Sequence, residues 1–195
     1  MKTIINEVEN EIIINKSRFI AVLIPINDKS KVYIKLDEIK SKYKDATHYC
    51  YGYIINSLEK CFDDGEPSGT AGMPILNVLK NNNLTNILCV VVRYFGGIKL
   101  GAGGLVRAYS SAATQAILKC DFGFLEKGYK ITIEFDYDNI KNIDYILNNI
   151  HVIKQFDEKV IYTFSISEDD INILDNVLKY SKIVDKSNIT IIKGD

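Results

Sequence analysis

The run NILCVVVRYFGGIKLGAGGLVRAYSSAATQAI, residues 86–117, leaves the chain few alternatives. Its first part is an almost unbroken apolar stretch rich in β-branched residues, which predicts a central strand buried on both faces. Five glycines follow within a few residues. Then Leu105, Tyr109, Ala112, Ala116 and Ile117 recur at helical spacing, so a strand must pass through a glycine loop into an amphipathic helix that ends near Cys120. Arg93, Lys99 and Arg107 surround the start of that helix, and no acid does. A helix N-terminus already carries partial positive charge, so cations there are unfavourable unless something anionic shares the place.

A second glycine-rich segment, GEPSGTAGMP, also leads into a helix, with Pro74 suited to its first turn. Glycines let backbone N–H groups converge on a ligand, and phosphate oxygens suit such a place. The expected phosphate or nucleic-acid contacts are Arg93 as a bidentate fork, Lys99 and Arg107 as charges, the backbone at Gly97, Gly101 and Gly103, and the hydroxyls of Ser68 and Thr70. GGIKLGAGG is not a P-loop, because Ala102-Gly103 stands where Lys-Ser/Thr is required. GAGGLV has Val106 in place of the third glycine of a dinucleotide fingerprint. Nucleotide hydrolysis and NAD chemistry are disfavoured.

Charge supports a local anion site only. Residues 1–125 hold 15 basic and 12 acidic residues, a net of +3, and residues 126–195 hold 9 and 13, a net of −4, which gives the formal −1 of the whole chain. That balance excludes a globally basic polymer binder. Between Glu66 and Asp121 there is no acid, while Lys80, Arg93, Lys99, Arg107 and Lys119 are present. Burial of strand and helix faces accounts for part of this gap.

Asp63, Asp64 and Glu66 lie in DDGE, where carboxylates cap helices or tie down tight turns, pair with an arginine, or serve acid–base chemistry. His48 and Cys50, two apart on a predicted strand, share a face and form a conceivable nucleophile pair, with a half-buried structural histidine as the plainer reading. No CxxC or HxxxH pattern is present, calcium-loop spacing is missing, and no metal or cofactor is expected. The four scattered cysteines read as reduced thiols. RFIAVLIPI follows acids rather than a basic leader and reads as a strand, and no apolar run approaches a membrane span, so a cytoplasmic chain without membrane contact is expected.

Strands are predicted at 3–8 and 11–26, the latter kinked or turned at NKSR, then a helix carrying Val32, Leu36, Ile39 and Tyr43, and a THYCYGYII/LEKCF hairpin. Beyond residue 125 the elements run strand, helix, hairpin, helix, strand, with Ser167 and Asp170 as a capping-box start of the last helix. That order is the split βαβ, ferredoxin-like pattern. The class is α+β in two domains, 1–125 and 126–195, with the boundary near Leu125–Lys127.

KSRFI, THYCYGY, DDGEPSGTAGMPIL and VVVRYFGGIKLGAGGLVRAYSSAA, in that order through residues 1–125, closely resemble the YigZ/IMPACT family. The resemblance implies a first domain like the β-α superfold of elongation factor G domain IV and a small-subunit ribosomal protein. It implies a second like the ferredoxin-like last domain of that factor. It also implies a cytoplasmic protein linked to translation, with RNA or the ribosome as partner. The alternative is an enzyme acting on a small phosphorylated or anionic substrate, with Asp63, Asp64, His48 and Cys50 supplying the chemistry. A pocket joining these residues to the glycine loops would favour the enzyme; an open basic face would favour the binder.

Overall fold

A computed structural model describes residues 1–194, which form two sheets and five α-helices. The chain divides into two compact units, Met1–Phe124 and Leu125–Lys193.

The first unit is built on β2 (Val8–Ile14), β3 (Ser17–Pro25), β6 (Ile87–Tyr94), β4 (His48–Ile55) and β5 (Leu58–Phe62), in that spatial order and antiparallel throughout. β6 is the central strand. Helices α2 (Gly72–Asn81) and α3 (Gly101–Ile117) cover one face, where Phe19, Leu23, Cys50, Cys89 and Val91 meet Ile75, Leu79, Tyr109 and Ala112. Helix α1 (Lys29–Lys42) covers the other, setting Val32, Leu36 and Ile39 against Ile20, Val22, Tyr53, Val90 and Val92. Both faces of β3 and β6 are therefore dry, which is why their sequences read as continuous rather than alternating apolar runs.

The predicted strand over 11–26 is instead a hairpin. Asn15 and Lys16 both take positive φ (46° and 63°), the two-residue turn that matches strand twist, so β2 folds back on β3. Lys2–Ile4, β1, pairs antiparallel with Phe122–Phe124 at the start of β7 (Phe122–Phe135).

In the second unit β7 continues into pairing with β9 (Val160–Ser167), which pairs with β8 (Val152–Phe156); β10 (Lys182–Gly194) also pairs with β7. Helices α4 (Ile140–Ile146) and α5 (Ile173–Val177) contribute Ile143, Leu147, Leu174 and Val177 to a core with Ile131, Ile133, Tyr162 and Phe164. The division at Phe124/Leu125 falls within β7, whose first residues pair with β1 and whose later residues pair with β9. One sequence expectation changes. Ser167 and Asp170 do bond reciprocally (2.6 and 3.1 Å), but they close a tight turn. The bonds Ile171→Glu168, Ile173→Asp170 and Leu174→Ile171 each span three residues, so α-helix begins only at Ile173.

Among the described residues no helix is long and apolar enough to cross a membrane.

Candidate functional site

Sheet register sets the first part of the site. Phe19 of β3, Arg93 of β6 and His48 of β4 are directly paired, so their side chains stand in one row on the α2/α3 face. Arg93 is thereby buried at 4% exposure, its guanidinium 5.3 Å from the Phe19 ring centroid and 5.5 Å from that of Phe95.

The DDGE turn supplies the rest. The Asp63 carboxylate accepts the N–H groups of Gly69 (2.9 Å), Ala71 (3.0 Å) and Gly72 (2.8 Å), closing the loop and capping α2, whose N-cap residue, Ala71, has no side-chain acceptor. Burial alone would raise the Asp63 carboxyl; the three backbone donors outweigh it and hold the group below the usual carboxylate value. Asp64, at φ 45°, accepts the Tyr49 N–H with its carboxylate (2.7 Å) and the His48 ring with its carbonyl (2.7 Å).

This curl points Glu66 inward, where its Oε1 takes Arg93 Nη1 at 2.5 Å and the Tyr109 hydroxyl at 2.8 Å. The Cys50 thiol reaches the Tyr109 oxygen at 3.3 Å and the Asp63 carbonyl at 2.9 Å. A buried charge pair of this kind is strongly destabilised when one member is removed, which makes Glu66–Arg93 a structural fixture.

The second loop lies against this network. Ser17 Oγ accepts the Gly96 N–H (3.2 Å) and stands 3.5 Å from Arg93 Nη2, and Thr47 Oγ1 accepts the Phe95 N–H (3.0 Å). Gly97 and Gly101 take positive φ (83° and 68°), the conformations that need glycine. Helix α3 then begins without a side-chain cap and without an acid in its first turn. The result is a cleft of about 440 Å³ whose lining includes Thr47, His48, Glu66, Arg93, Lys99 and Gly101.

The expected residues separate accordingly. Lys99 borders the cleft and is exposed. Arg107 is exposed but lies outside its lining; its Nη1 folds back along α3 to 3.7 Å from where a Gly103 Cβ would stand. Among the described residues neither cation pairs with a carboxylate, whereas Lys80 pairs with Glu59 at 2.8 Å. Gly97, Gly101, Gly103 and Ser68 are exposed.

Three expectations are corrected. Arg93 is no free fork for phosphate, being engaged by Glu66. Thr70 is buried and donates to the Pro67 carbonyl (2.6 Å), so its hydroxyl proton is not offered outward. Cys50 does not face the cleft: it is fully buried, its thiol lies on the Asp63 carbonyl, and burial pushes it up to about 12. Of the roles open to the DDGE carboxylates, Asp63 and Asp64 take the binding of backbone N–H groups, and Glu66 takes the pairing with an arginine and is the one that reaches the cleft.

Tyr109, Ser17 and Thr47 were not anticipated. Tyr109 carried a signal, since a tyrosine on a helix face otherwise made of aliphatic residues needs a partner for its hydroxyl. Among the described residues no three His, Cys, Asp or Glu side chains gather as a metal centre requires.

Comparison with known proteins shows the family. Residues 15–117 match the family model described as the Impact N-terminal domain, a span that contains the whole cleft. The IMPACT family member YvyE of Bacillus subtilis (strain 168) is 47% identical over 112 residues, covering 56% of this chain and 52% of that protein, so the match spans about half its length. An IMPACT family member of Haemophilus influenzae is 36% identical over 172 residues, covering 78% of this chain and 82% of that protein. A crystal structure of a hypothetical protein matches with a TM-score of 0.63 at 26% identity, over 93% of this chain and 95% of that one. On its matched domain and on the length and identity of these relatives, the chain belongs to the IMPACT family.

Proposed function

We propose that this is a cytoplasmic, translation-associated protein that binds RNA or the ribosome through the glycine-loop face of its first unit. One observation carries the reading: Lys99 and Arg107 are exposed and unpaired among the described residues beside the uncapped, acid-free start of α3. Phe95, 46% exposed at the same rim, offers a stacking surface for a base. Tyr51 and Tyr53 are buried in the α1-side core and take no part. The first unit is read as the superfold of elongation factor G domain IV. The second is read as ferredoxin-like, which its strand order β10-β7-β9-β8 supports.

The test is filter retention of single-stranded RNA at low salt. Wild type is expected to retain RNA and to lose it steeply as salt rises. Lys99→Glu with Arg107→Glu is expected to lose retention at least about tenfold, with an unchanged circular dichroism spectrum, since both residues are exposed. Equal retention by the double variant overturns the reading.

A second reading, an enzyme acting on a small phosphorylated or anionic substrate, is favoured by the cleft itself, which joins His48 and Glu66 to the glycine loop. Turnover in a substrate screen that disappears in His48→Ala and persists in Asp64→Asn would establish it.

A further inference from the structure

The cleft contains two hydrogen-bond acceptors that the chain leaves unused. A carbonyl only accepts, so the 2.7 Å contact between His48 Nδ1 and the Asp64 carbonyl places the ring proton on Nδ1. With Nδ1 so engaged, Nε2 is the ring atom left for a ligand, an acceptor in the neutral imidazole; it stands 3.9 Å from Glu66 Oε1, too far to bond it. Glu66 Oε1 is taken up by Arg93 and Tyr109. Glu66 Oε2 accepts nothing among the described residues and is not sealed from solvent, although the side chain is only 4% exposed. It is a carboxylate acceptor that no protein donor occupies, open to the hydroxyl of a ligand in the cleft.

The cleft thus brings together groups with opposite requirements. Glu66 Oε2, and His48 Nε2 in the neutral ring, accept from donors. Lys99 and the first N–H groups of α3 want anionic oxygens. A ribose bearing free 2′- and 3′-hydroxyls beside a phosphate answers both. A carboxylate on ribose hydroxyls with phosphate at a helix start is the same division of roles found in dinucleotide sites, reached here without their fingerprint. The volume of about 440 Å³ is in the range of small-molecule sites and suits one nucleotide rather than a duplex. Within an RNA strand, vicinal hydroxyls exist only at the 3′ end.

We infer that the cleft receives a ribonucleotide by its cis-diol and phosphate, the 3′-terminal residue of a single strand or a free ribonucleotide. The inference rests on the reading of the glycine-loop face as a phosphate surface, and it adds a preference for ribose and for strand ends.

The test compares ligands on the wild-type protein, so folding of a variant is not at issue. Anisotropy of a 5′-labelled single-stranded oligoribonucleotide is measured with a 2′,3′-diol end and with a 2′,3′-dideoxy end. AMP and its 2′,3′-dideoxy counterpart are measured by calorimetry. The dideoxy end is expected to bind about tenfold more weakly, the loss of two hydrogen bonds to the acceptors. His48→Ala is expected to shrink that preference while leaving the salt dependence intact. Equal binding of both ends overturns the inference and leaves RNA binding standing. Diol-dependent binding of AMP with no RNA binding supports the inference and overturns the RNA reading. Absence of binding by every probe overturns both.

Discussion

Replacing Asp63 by alanine removes the acceptor of three backbone N–H groups at once. Gly69 is exposed, so water replaces its bond and little is lost there. Ala71 and Gly72 are buried, and each donor left unsatisfied costs about 1–3 kcal/mol. The variant is therefore expected to lose about 3–4 kcal/mol, among the larger effects of a single substitution. Asp64→Ala gives up one bond to the half-buried Tyr49 N–H and should lose only about 1 kcal/mol.

The effect of Asp63 depends on pH with a definite sign. Its folded carboxyl lies below its ordinary value, so its contribution is fully present above about pH 4. It fades as the pH falls through the lower folded value. Urea unfolding followed by far-UV circular dichroism at pH 7 and at progressively lower pH measures both effects, with the two units allowed separate transitions. A difference below about 1 kcal/mol at pH 7, or one that persists unchanged in acid, would refute the argument that this carboxylate organises the loop.

Two further outcomes follow from the site. Burial raises all four thiols, but Cys50 and Cys89 are fully buried while Cys61 and Cys120 are half-buried, so a thiol reagent at alkaline pH should label Cys61 and Cys120 in the folded protein and reach the other two only on unfolding; mass spectrometry of the labelled peptides decides it. A Cβ on Gly96 would sit 2.0 Å from the Lys16 carbonyl carbon, whereas one on Gly97 meets nothing within 4 Å and is strained only by its φ. Gly96→Ala should therefore lose about 3 kcal/mol or more in thermal or urea unfolding, and Gly97→Ala about 1–2.

How much of this was legible in the sequence depends on which property carried the information. Periodicity disclosed the central strand β6, the buried face of α3 and the β4/β5 hairpin, because burial on a regular element leaves a repeating trace. The Asn15–Lys16 turn reads in the sequence as no more than a kink or turn within one strand, since asparagine tolerates positive φ but nothing in a lysine announces it, and the two-residue hairpin turn needs both. Arg93 was legible as a charge but not as a buried one. Its burial comes from the register that sets it between Phe19 and His48, a relation across strands that local sequence does not contain. Glu66 was named beside Asp63 and Asp64, yet only the fold distinguishes the inward carboxylate from the two that bind backbone. In the second unit the apolar spacing after Ser167 suggested a longer helix than α5, because Glu168–Asp170 are spent on three-residue turns.

The near-contact of Gly96 with the tip of the β2–β3 hairpin has a mechanical consequence. The backbone at Lys16 and the hydroxyl of Ser17 act as a buttress, so the loop over the cleft is held from a part of the chain nearly eighty residues away in sequence. One residue more or less at that tip would shift the support under Gly96 and, through Ser17, the seat of Arg93. Hairpin length is thus a ruler for the mouth of the cleft, and the tip tolerates exchange of side chains far better than any change in its count of residues.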